Sequence, residues 1–243
     1  MKTMVYWLLP AMLLLASCSK DENNTPAATT GKVSFQLLYN VDGKELLFDT
    51  VYCMNAAGNE YEVTNLEFIL SDFKFIRADK TFYADTNAYY LNARDADFGA
   101  VNMEGIPNGS YTSMSFSLGL DSVHNITGGL PNTMEFIAMA WPDAMGGGYH
   151  FMKFEGHFVD GSNLPGFAMH LGMSMNRIDY SFDLPVTVNN NSISLTLAMN
   201  VNEWFNHPEV YDFNVDPNYS MGNQSAMGKL AANGADVFTL NIK

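Results

Sequence analysis

Pro107-Asn108-Gly109-Ser110-Tyr111-Thr112-Ser113-Met114-Ser115-Phe116-Ser117-Leu118-Gly119-Leu120 is a turn followed by a strand with two unlike faces. Pro, Asn and Gly together supply the backbone angles of a tight turn. Beyond it, an extended chain puts Tyr111, Ser113, Ser115 and Ser117 on one side and Met114, Phe116, Leu118 and Leu120 on the other. A two-residue period of this kind buries one face against a core and wets the other.

The same period recurs on either side. Val33-Ser34-Phe35-Gln36-Leu37 alternates, and Asp42-Gly43 after it is a hairpin signal. Residues 60–76 read as one long strand with a break at Ser71-Asp72. Residues 149–158, 167–171, 180–188, 193–201 and 237–242 are further strands, with Asn189-Asn190-Asn191 turning the chain between two of them. Helical signals are confined to the C-terminal part. Residues 202–206 start a short helix ended by Pro208, and 224–232 form another with Asn233-Gly234 as its C-cap. About ten short strands with Gly, Pro and Asn turns specify an all-β fold. The expected architecture is a β-sandwich, jelly-roll or immunoglobulin-like, with one or two short C-terminal helices. No internal repeat of fixed period is present.

The N-terminus carries an address. Lys2 is a short cationic start, residues 5–15 are apolar but too short to span a bilayer, and Leu15-Ala16-Ser17-Cys18 resembles a lipobox. The expectation is a lipoprotein signal peptide over 1–17, a disordered tether over 18–30 and one folded domain over 31–243. Cys18 would take the lipid and hold the protein in the outer membrane, facing the periplasm or the cell surface. Lys20-Asp21-Glu22 resembles a surface-export signal; a plain solvated tether is the other reading. With Cys18 lipidated, Cys53 has no disulfide partner and reads as a buried, inert thiol.

Twelve basic against 26 acidic residues give a net charge of −14. Such a chain repels nucleic acid and anionic lipid, so neither is a partner. No nucleophile elbow, His-Glu-x-x-His, phosphate loop or dinucleotide fingerprint occurs, and no enzymatic activity is expected. Sulfur and imidazole are what stand out. The chain has 16 Met and five His. The central third holds His124, His150, His157 and His170 together with Met134, Met139, Met145, Met152, Met169, Met173 and Met175. Thioether suits Cu(I) and imidazole suits copper in either oxidation state, whereas core packing is the alternative use of Met. If 149–158 is a regular strand, His150, Met152 and Phe154 share one face, opposite Tyr149, Lys153 and His157. His150 and His157 then reach one ion only through a bulge. His170 lies on the face opposite Met169, Leu171 and Met173.

Residues 111–125, ending in Leu118-Gly119-Leu120-Asp121-Ser122-Val123-His124-Asn125, resemble a signature of the MbnP-like copper-binding family. Met139-Ala140-Trp141, Gly148-Tyr149, Lys153-Phe154-Glu155-Gly156 and His170-Leu171-Gly172 continue that pattern in order. Residues 61–71, Asn202-Glu203-Trp204-Phe205 and Asp236-Val237-Phe238 fit its beginning and end. The resemblance implies two His ligands to copper, which map onto His124 and His170. Some members add an oxidised Trp beside the first His; here no Trp adjoins His124, and Trp141 is the nearest. Met139, Met145 and His150 are candidates to complete the shell. The expected function is sequestration or delivery of copper outside the cytoplasm. The alternative is a metal-free surface lipoprotein that binds a glycan or protein through exposed aromatics such as Trp204 and Tyr211.

Overall fold

The computed structural model describes Met1 and residues 29–242, so the expected signal peptide, Cys18 and most of the tether lie outside the described residues. Strands β1 (Thr30–Val41), β2 (Lys44–Glu45), β3 (Cys53–Met54), β4 (Glu60–Ile76), β5 (Phe82–Ala84), β6 (Tyr89–Asn92), β7 (Ala100–Pro107) and β8 (Gly109–Leu118) precede a short helix, α1 (Met134–Ala138). Then come β9 (His150–Phe158), β10 (Gly166–Gly172), β11 (Ile178–Val188), β12 (Ser192–Asn200), α2 (Gln224–Asn233) and β13 (Phe238–Asn241).

Two sheets form. The first runs β13-β12-β1-β2, with β7 also on β1; the second runs β10-β9-β4-β8-β11, with β3, β5 and β6 on β4. Alternating apolar residues of both fill the space between them. Phe35 meets Phe73 at 5.8 Å between ring centroids, and Phe238 meets Phe68 at 6.1 Å and Phe116 at 5.7 Å. This is the all-β sandwich that the two-residue period predicts. A second aromatic cluster fills one end, where Phe154 stacks on Phe205 at 5.2 Å and Phe167 on Phe213 at 4.8 Å. Cys53 is buried, and burial pushes its thiol up to about 11, which keeps it protonated and inert.

Local signals act as read. Asp42 and Gly43 both take positive φ (51° and 83°), as a two-residue hairpin turn of the primed type requires, and Val41 then faces Lys44. At the Ser71-Asp72 break, Asp72 has φ 56° and the β4–β8 register shifts.

Three readings need correction. Tyr111 is not on the wet face: it is buried, edge-on to Phe75 at 5.8 Å, with the Arg77 guanidinium 4.8 Å above its ring. Gly234 is not a left-handed cap, since its φ is −67°. A Cβ there would lie 2.4 Å from Ile178 and 2.5 Å from Trp204, so packing requires the glycine. Finally, β9 is not regular. Leu171 pairs with Met152 but Gly172 pairs with His150, which leaves Phe151 as an extra residue.

Candidate metal centre

The bulge at Phe151 builds the site. Phe151 and Met152 are both buried in the core, side by side in sequence, and the register shift between Leu171 and Gly172 leaves Phe151 without a partner on β10. Gly119 makes the room: a Cβ on it would sit 2.3 Å from the Phe151 ring. Beyond the extra residue the alternation restarts one step out of phase. His150 therefore emerges on the same face as Lys153, Glu155 and His170, not with Met152 and Phe154.

On that face the imidazoles of His150 and His170 meet edge to face, with centroids 5.0 Å apart and planes at 87°. Each ring is anchored through one nitrogen. His150 Nδ1 lies 3.2 Å from the Met139 carbonyl, which accepts its proton. His170 Nε2 lies 2.7 Å from Glu155 Oε1, whose carboxylate accepts likewise. These partners set the tautomers and leave a lone pair on His150 Nε2 and one on His170 Nδ1. Both free nitrogens are buried and have no hydrogen-bond partner. An orphaned buried polar atom costs about 1–3 kcal/mol, and two on facing rings invite a bound cation.

The surroundings hold the rings in place. The Trp141 ring lies 4.7 Å from that of His150, and its Nε1 donates to the Met145 carbonyl at 3.2 Å. Gly172 admits that ring; a Cβ there would be 2.5 Å from it. Gly146, Gly147 and Gly148 all have positive φ, which only glycine adopts freely. They form a close turn rather than an open flap, because Cβ atoms on the last two would strike Thr127 and Asn125 at 2.5 and 2.4 Å. Lys153 Nζ donates to the Ala138 carbonyl at 2.5 Å and so ties the end of α1 to β9. The Ser220 hydroxyl bridges the His170 backbone, accepting from its N–H at 2.6 Å and donating to its carbonyl at 2.7 Å.

Electrostatics follow from burial. Desolvation first, and the neighbouring His170 second, push His150 down to about 4, so its ring is neutral at pH 7. The hydrogen bond from His170 holds the Glu155 carboxyl below its ordinary value.

The expected residues are distributed as follows. His170 and His150 come together. His124 sits in an exposed turn after β8, with its Nδ1 2.8 Å from Asp121 Oδ1. His157 pairs with Glu62 at 2.9 Å. Met139 serves through its carbonyl, and Met145 through the carbonyl that holds Trp141. Met152 and Met169 are core residues, whereas Met134 and Met175 are exposed. Among the described residues no three His, Cys, Asp or Glu side chains are grouped to hold a metal. Two imidazoles are what the centre offers. Sequence reasoning misses Glu155, although Lys153-Phe154-Glu155-Gly156 marks it. It also misses Gly156, whose Cβ would lie 1.9 Å from the Glu62 carbonyl.

No curated protein sequence matches the chain. Among solved structures, MbnP from Methylosinus trichosporium is similar, with a TM-score of 0.55 and 15% identity over 88% of this chain and 99% of that one. The profile of the MbnP family matches residues 30–223, from the first strand of the sandwich through the segment that caps β10, and the chain belongs to that family.

Proposed function

We propose that this protein binds one copper ion as Cu(I), between His150 Nε2 and His170 Nδ1. The observation that carries this reading is the pair of buried, unpartnered imidazole nitrogens on rings 5.0 Å apart. Neutral imidazole is a copper ligand, and Cu(I) accepts as few as two donors. Structural zinc prefers four ligands and calcium prefers oxygen, so neither suits a two-nitrogen centre. Family membership is consistent with a copper role. The chemistry is binding without turnover, and the protein sequesters or delivers the ion. We further propose that Cys18 is lipidated and tethers the domain to the outer membrane, in keeping with the lipobox-like Leu15-Ala16-Ser17-Cys18. The aromatics that would serve a glycan platform are unavailable for it, because Trp204 and Tyr211 are buried.

The test is a competition titration of purified protein with a Cu(I) chelator under reducing, anaerobic conditions. One copper per chain is expected. The His150→Ala, His170→Ala double variant should lose it, and His124→Ala should keep it. Retention of stoichiometry and affinity in the double variant would overturn the site.

A further inference from the structure

We infer that Glu155 is the positioning residue of this centre: its carboxylate captures the Nε2 proton of His170 and thereby presents the Nδ1 lone pair to the ion. The inference rests on the copper reading of His150 and His170 and adds a residue to which that reading gives no part.

The placement is a product of strand register. His170 on β10 faces Lys153 on β9, and Ala168 faces Glu155. Glu155 is therefore the diagonal neighbour of His170 on the same face, within reach of a long side chain. The small Ala168 opposite Glu155 leaves its carboxylate free to lean along the strand to the imidazole. One oxygen takes the 2.7 Å contact with His170 Nε2, and the other lies 3.4 Å from the Asn65 amide nitrogen. Asn65 faces Glu155 across β4, at a point where the β4–β9 register slips by one residue. A second bulge thus brings the amide to bear on the carboxylate that sets the tautomer.

A histidine has two nitrogens, and a site needs one of them bare. His150 has its choice made by a backbone carbonyl, which no side-chain substitution removes. His170 has its choice made by Glu155. A carboxylate that accepts from the far nitrogen both fixes the ring and makes the near nitrogen a better donor to metal. His170 is the half of the pair that can be detuned by mutation without touching a ligand.

The test uses the full domain with Glu155→Ala and Glu155→Gln. The glutamine is of equal size and keeps a neutral acceptor, so it also guards against a simple folding defect. Nitrogen-15 NMR of copper-free protein reports the His170 tautomer directly. A single Nε2–H form is expected in the unsubstituted protein and in Glu155→Gln, and a mixture of both tautomers in Glu155→Ala. Cu(I) affinity should fall about 10–100-fold in Glu155→Ala and less in Glu155→Gln. An unchanged affinity in Glu155→Ala, or an unchanged tautomer, would overturn the inference. Should the unsubstituted protein take up no Cu(I), the copper reading fails and the positioning role falls with it. The NMR of the copper-free chain then still shows whether Glu155 governs the ring.

Discussion

At neutral pH the His150 ring is uncharged, buried to 6% exposure and packed between Trp141 and His170. Its pKa is pushed down to about 4 from an ordinary 6.5. Between those values the unfolded chain binds a proton that the folded chain refuses. Acid therefore favours unfolding across that window, and above pH 6.5 this group contributes no pH dependence. The loss of stability on going from pH 7 to pH 4 is on the order of 2–3 kcal/mol from this ring. Urea unfolding of His150→Gln at both values should show a correspondingly shallower decline. An equal decline in both proteins would mean that the ring is not held neutral by the fold. Protons and copper compete for the same lone pair, so at His150 metal uptake weakens only as pH falls to about 4, where the folded ring itself takes a proton.

At the scale of the element, one irregularity in β9 decides the site. Periodicity gives the extent of the strand and the inward direction of Met152 and Phe154, both of which are buried. It places His150 on the wrong face, because a two-residue period carries no mark of an inserted residue. The cause lies in another strand's exit: Gly119, with φ 101°, leaves a hollow into which Phe151 packs. Gly119→Ala would bring a Cβ within 2.3 Å of that ring in a backbone region hostile to alanine. The expected cost is about 3 kcal/mol, read from denaturant unfolding, with Cu(I) affinity lowered as His150 shifts. Full affinity in a folded Gly119→Ala protein would show that the bulge does not set the ligand. Strand β7 escapes sequence reading for a related reason. Val101 and Met103 keep the two-residue period, but Gly105, at φ 75°, and the register shift opposite Gly31 break it, so that Ile106 reaches the core one step out of phase.

Over the whole molecule, the C-terminal twenty residues matter more than the extent of the family match, which stops at 223. Strand β13 pairs with β12 from Thr196 to Met199, and Phe238 reaches across the sandwich to Phe68, Phe116 and Tyr180. Helix α2 adds Met227 and Leu230 to the core, and its Asn233 donates to the carbonyls of Trp204 and Glu209. A chain ending at residue 223 should lose cooperative thermal unfolding and near-ultraviolet circular dichroism. A sharp transition in that truncated chain would show that the family segment folds alone.

The linear chain by itself determines the regularly alternating strands, the hairpin at Asp42-Gly43, the break at Asp72 and the all-β class. Each is a local matter of side-chain alternation or of a turn's backbone angles. Residue type also names His124, His150, His157 and His170 as candidate donors, and the family resemblance picks His124 with His170. Tertiary structure alone decides which imidazoles meet, that Glu155 stands behind one of them, and that Met139 serves through its backbone. Those depend on register and on a bulge set by packing against a distant glycine, and register is a property of two strands rather than of one.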